Sequence, residues 1–339
     1  MAFRTTGYAA VFMGLAILWQ GCSQEDLPQS ATYRPCPNPR QATVPQALSS
    51  SVTPSMTDVP ASQINNSPGL LAVHPRNPRY FQNLQTGDAV FLHGFDHFRG
   101  LQEYNNNGVA PLDFQSFIGQ LTQYNHNFLR LWAWEHFWRI NEAKGINKGQ
   151  QSQVLPPHIY KRTGPGNAID GKPKFDLLKF DQAYFDQLRR RVISAGQNGI
   201  WVSVMLFQGW SIQGQGTQAN TPWQGHPFNS HNNISGIDGD WDQDGNGWEL
   251  HTRTNPQINS LHEAYVKKII DTVGDLNNVL FEISNESIAT ELPDRCHHIT
   301  RVKDWAYFFI DFIHHYERQQ GYGPHPVGMS GFRPIPGDP

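Results

Sequence analysis

The 339-residue chain carries 26 Lys and Arg against 29 Asp and Glu, a formal charge of −3, with 38% hydrophobic and 12% aromatic residues. A faintly acidic balance without a long Lys/Arg cluster argues against a nucleic-acid partner, which would be met by a basic patch. The apolar fraction is ample for one large domain or two ordinary ones, and ten Trp and eleven Tyr supply rings that either fill core or stack on apolar sugar faces.

Residues 1–22, MAFRTTGYAAVFMGLAILWQGC, join a short basic start at Arg4 to an apolar run from Tyr8 to Trp19. That run is shorter than the ~20 residues of a membrane span and reads as a signal peptide. The Gly21-Cys22 ending is similar to a bacterial lipoprotein signal, in which the cysteine is lipidated after cleavage, although Trp19 stands where Leu is usual. Two readings stay open: a cell-surface protein anchored to the membrane only through Cys22, or a plain export signal giving a secreted or periplasmic one. Residues 23–68, rich in Pro, Ser, Thr, Gln and Asn without periodicity, predict a disordered tether. Cys36 and Cys296 form no disulfide framework. The folded domain is expected over 69–339.

In that domain AVFLHGFDHF (89–98) is the first expected strand, followed by a helix that Asp113 caps, with Phe114, Phe117, Ile118 and Leu121 at i, i+3, i+4, i+7. NFLRLWAWE (127–135) is the second strand. A helix over 181–199 with Tyr184, Leu188 and Val192 on one face leads to the third strand at 200–210. Asn255-Pro256 opens the next helix, which delivers the chain to NVLFEISNES (278–287), the fourth strand. A helix near 299–319 and a short fifth strand near 325–331 complete the series. Strict alternation means a parallel α/β sheet, doubly wound or closed as a (β/α)8 TIM barrel. No G-x-G-x-x-G turn follows the first strand, so the barrel is preferred. Polar and aromatic residues gather at the strand ends: Asp96 and His97, then Trp132, Trp134 and Glu135, then Gln208 and Trp210, then Asn285 and Glu286. In a barrel these ends share the catalytic mouth, and a carboxylate at the end of an apolar strand belongs there.

The segments HPRNPRYFQNLQTGDAVFLHG, NHNFLRLWAWE, FDQAYFDQLRRRVISAGQNGIWVSVMLFQGW and NVLFEISNES together resemble the (β/α)8 glycoside hydrolases of the large retaining clan, in particular the apiosidase-like and cellulase-like hydrolases of bacteria. The resemblance spans residues 70–331. It implies Glu286 as general acid/base, Asn285 as a ligand of the sugar hydroxyl beside the reacting carbon, and Arg130 as the arginine kept near the nucleophile. The clan's chemistry uses two carboxyl groups, ~5 Å apart in retaining enzymes. The expected substrate is a poly- or oligosaccharide, with Trp134, Glu135, Asp96, His97 and Trp210 as further contacts and no cofactor required. The alternative is a surface carbohydrate-binding barrel without catalysis.

Within GIDGDWDQDGNGWE (236–249), Asp240, Asp242, Asp244 and Asn246 match the first half of a calcium loop, but its last position is His251 and the nearest acid Glu249. A structural calcium site and an acidic solvated loop both remain open. Five strand candidates fall short of eight, so the sequence predicts an incomplete barrel whose nucleophile lies beyond Pro339 and which would be inactive by itself.

Overall fold

In the computed structural model the described residues are 67–105, 110–140, 151–213, 222–287 and 295–329, all within the compact unit Thr57–Pro339. The expected signal, Cys22 and nearly all of the tether lie outside them. Five parallel strands form one sheet: β1 (Gly94–His97), β2 (Phe128–Leu131), β3 (Trp201–Gln208), β4 (Val279–Asn285) and β5 (Val327–Gly328), neighbours in that sequential order. Helices α1 (Phe114–Gln123), α2 (Gln182–Gln197), α3 (Pro256–Val273) and α4 (Arg295–Gln320) fill the crossovers. Among the described residues no pairing joins β5 to β1.

The helices begin where the sequence places their caps. Asp113 accepts from Ser116 N, Asp181 from Ala183 N, and Asn255 from Gln257 N and Ile258 N ahead of Pro256, satisfying donors that the first turn leaves without partners. Arg189 of α2 ties α3 down through the Thr272 carbonyl and a bidentate pair with Asp275.

Side-chain alternation gives the sheet two unlike faces. Leu129, Leu131, Val202, Val204, Val279, Phe281 and Ile283 pack into the main core with the helices. The opposite face carries Asp96, Arg130 and Ser203 in one register row and Met205 and Glu282 in the next. A sequentially ordered parallel sheet with helices on one face and polar side chains on the other has the strand order of barrel sheets.

The two ends also differ. An antiparallel ribbon of Leu71–Val73, Phe81–Asn83 and Ala89–Val90 lies over the amino-terminal ends of the strands, where Leu71, Trp201 and Leu280 form a separate buried cluster and the Trp201 indole donates to the Gly69 carbonyl. The single strand expected over 89–98 is therefore two. Asn127 divides them: its side chain accepts from His93 N and donates to the Phe91 carbonyl, diverting the segment from the ladder. The second strand is shorter than expected as well, for 132–136 leave the ladder and Trp138–Ile140 joins Gln151–Val154 and Tyr104–Asn105 in an antiparallel sheet. A hairpin of Tyr160–Asn167 and Pro173–Phe180 was not expected from the sequence.

Candidate active site

At the carboxyl ends of the strands the guanidinium of Arg130 is the hub. It donates to both Glu282 oxygens at 2.6 Å, to Asp96 Oδ2 at 3.1 Å and to Asn285 Oδ1 at 3.0 Å. Its planar fork suits several oxygen acceptors at once, as an ammonium could not. The other end of the Asn285 amide donates to Gln208 Oε1 at 3.0 Å, which also accepts from Trp210 N at 3.1 Å. The ends of β1 to β4 are thus joined by side chains as well as by the ladder.

Glu286 follows directly. It is exposed between buried Asn285 and buried Ser287, and its backbone has φ +52°, a left-handed conformation that a residue with a long side chain adopts only at a cost. Gly209 makes room for that turn. A Cβ there would stand 2.2 Å from the Glu286 carbonyl oxygen and the Ser287 Cα, so only glycine lets the loop after β3 press on the loop after β4.

Beside this pair lies an aromatic wall. Trp132 and Trp134 have centroids 5.2 Å apart, and Trp134 meets Trp210 at 5.8 Å. The Trp134 ring is only 8% exposed, with its indole donating to the Phe98 carbonyl; it builds the wall rather than facing the mouth. Trp132 and Trp210 are half-buried. The Trp132 indole donates to Asp96, and Arg139 lies over the Trp210 ring at 4.5 Å.

Two expected site residues turn elsewhere. His97 packs on Phe117 of α1 with centroids 4.9 Å apart, and burial, then Arg99, lowers its pKa; strand alternation sends it away from its neighbour Asp96. Glu135 is buried and accepts from Gln208 N at 2.5 Å, while His251 Nε2 stands 3.3 Å and His226 Nε2 3.6 Å from its oxygens. Burial pushes the Glu135 carboxyl up, yet the two histidines overcome this and hold it well below the usual carboxylate range. Burial lowers His226 in turn. His251 Nδ1 lies 2.9 Å from Ser287 Oγ.

A family model described as a domain of unknown function, DUF6298, matches residues 121–331. The chain belongs to that family. The match includes Arg130, Glu135, Asn285 and Glu286, and leaves Asp96 outside. No curated protein matches. Among solved structures the chain is similar to an endogalactoceramidase (16% identity, TM-score 0.45, 74% of this chain and 51% of that one). It is also similar to an endo-1,4-beta-mannanase of Rhizomucor miehei (9%, 0.44, 77% and 61%) and to a family 5 glycoside hydrolase of Bacteroides vulgatus (12%, 0.40, 77% and 40%). The chain therefore spans between 40 and 61% of these three proteins.

Within the DUF6298 region the acidic loop brings oxygens of Asp240, Asp242 and Glu249 within 4.8 Å of one another. Asp244 is not in that group; its Oδ1 accepts from Asn246 N and Nδ2. Burial first, and then Asp242, raises Glu249 to about 8; burial likewise raises Asp240 to about 6. Glu282, His226 and His251 escaped the sequence reading. An acid at an alternate position of the apolar VLFEISN run was a usable sign of Glu282, whereas nothing local marks the two histidines.

Proposed function

We propose that this DUF6298 chain forms part of a glycoside hydrolase that cleaves O-glycosidic bonds of a poly- or oligosaccharide, with Glu286 as the general acid/base. The observation that carries this reading is the exposed Glu286 carboxylate on a left-handed backbone at the end of a buried parallel strand, since strain of that kind gathers at reacting centres. Glu286 would protonate the leaving oxygen and later draw a proton from water. Asn285, with its oxygen on Arg130 and one amide hydrogen on Gln208, keeps a second amide hydrogen for a sugar hydroxyl. Asp96, 47% exposed at its side chain, offers acceptor oxygens at the same mouth, and Trp132 and Trp210 offer ring faces for stacking. The chemistry needs a second carboxylate about 5 Å from Glu286.

The test is Glu286→Gln in the full-length protein. Its kcat/KM on a phenyl glycoside should fall by roughly 10² to 10⁴, and its kcat/KM on a 2,4-dinitrophenyl glycoside, which reports a first step that needs little protonation, should fall far less. An unchanged rate on the phenyl glycoside would remove Glu286 from the mechanism. Glycan binding without turnover by the wild type would replace the hydrolase with a binding barrel.

Two further parts of the reading concern the rest of the chain. Export with lipidation at Cys22 is supported by the signal-like first 22 residues, and no described helix is long and apolar enough to cross a membrane. Mass spectrometry of the mature amino terminus decides it, an unmodified start beyond Cys22 speaking against the anchor. A structural calcium ion held by Asp240, Asp242 and Glu249 would fix the acidic loop; hard cations take such carboxylate oxygens.

A further inference from the structure

The residues on either side of Glu286 are held by one buried group. Glu135 Oε2 accepts the Gln208 backbone N–H at 2.5 Å, and the side chain of that same Gln208 accepts from Asn285 at 3.0 Å. The same Oε2 faces His251 Nε2 at 3.3 Å, and the other nitrogen of that ring meets Ser287 Oγ at 2.9 Å. The Nδ1–Oγ contact joins Ser287 to the ring whichever of the two donates. The remaining oxygen faces His226 Nε2 at 3.6 Å. His251 stacks on Trp305 with centroids 4.8 Å apart and 16° between planes, which fixes the ring. One arm from Glu135 therefore ends at Asn285 and the other at Ser287, and the left-handed Glu286 is suspended between them.

We propose that Glu135 is a positioning residue for Glu286, setting the direction of its carboxyl through Gln208–Asn285 on one side and His251–Ser287 on the other. The inference rests on Glu286 being the acid. Glu135 touches no substrate; it removes the freedom of a two-residue turn to relax out of its strained conformation, and misplacing a reacting group by about 1 Å costs on the order of 10²-fold in rate.

Three variants of the full-length protein test it: Glu135→Gln, Ser287→Ala and Ser287→Thr. On whichever phenyl and 2,4-dinitrophenyl hexosides or pentosides the wild type turns over, Glu135→Gln and Ser287→Ala should lower kcat on the phenyl substrate roughly tenfold or more. KM for the phenyl substrate and kcat/KM for the 2,4-dinitrophenyl substrate, which reports only the first step, should change little, and Ser287→Thr, which keeps the hydroxyl, should keep the wild-type phenyl rate. Equal loss on both substrates would reduce Glu135 to a packing part and overturn the inference. Should Glu286→Gln itself show no leaving-group dependence, the hydrolase reading falls instead. A readout independent of turnover is the 13C carboxyl resonance of Glu286, assigned by its disappearance in Glu286→Gln. It should move in Glu135→Gln and Ser287→Ala in protein that still melts cooperatively, and an unmoved resonance overturns the inference whatever the activity.

Discussion

Arg130 and Glu282 show what a single side chain contributes here. Their exposures are 14% and 11%, so each charge has left water and depends on the other. Removing one partner of such a pair typically costs about 3 to 5 kcal/mol, because the survivor is stranded. Arg130→Ala should therefore lose stability of that order in urea unfolding, and Arg130→Lys should recover only part, lacking the fork that reaches Glu282, Asp96 and Asn285 together. A loss below about 1 kcal/mol would mean that water screens the pair. At this scale the sequence was legible for placement, since Asp96, Asn285 and Glu286 lie at the carboxyl ends of their strands as the alternation of elements predicts. It was not legible for Glu135, whose surroundings are His226 and His251, supplied by a distant insertion. Nor was it for Trp132: the sequence reading takes Trp134 as the sugar contact, whereas Trp134 is buried and Trp132 is the half-exposed ring.

Among the elements, the helices were the clearest, because caps and periodicity are local. The short strands were less clear, since Asn127 ends the first segment's pairing through contacts 34 and 36 residues away in sequence. The insertion that carries His226 and His251 also carries the acidic loop, and its last turn, Trp248–His251, joins Glu249 to His251. A carboxyl whose folded pKa stands above its unfolded value binds more protons folded than unfolded in the interval between, so stability falls as pH rises through it. For Glu249 that interval runs from 4.5 to about 8. In chelator the melting temperature should decline across it, and calcium, which binds the ionised form, should raise it most at the alkaline end. A melting temperature flat in pH and indifferent to calcium would identify an acidic solvated loop.

For the molecule as a whole, the division of labour runs along the strands: apolar closure at their amino ends, polar chemistry at their carboxyl ends. Trp201 sits at the first position of β3 with 6% exposure, packed with Leu71 and Leu280 and bonded to Gly69. Trp201→Ala should cost about 3 to 5 kcal/mol while leaving the leaving-group dependence of any turnover unchanged, since it lies at the opposite end from Glu286. A change in that dependence without loss of stability would contradict the division. The order of strands followed from the alternation of elements. The ribbon over the amino ends did not, because its strands of two or three residues carry too little periodicity to be seen.

The left-handed turn at Glu286 has a consequence for selection. Asparagine enters that region readily and glutamate does not, so Glu286→Asn should raise stability, by about 1 kcal/mol, at the one position where it removes the proposed acid. Libraries of this protein sorted for heat resistance alone should drift toward asparagine or glycine there, and those sorted on glycans should hold glutamate against that drift. The fraction of Glu286 surviving each sort would measure how far the demands of folding and of function diverge at a single residue.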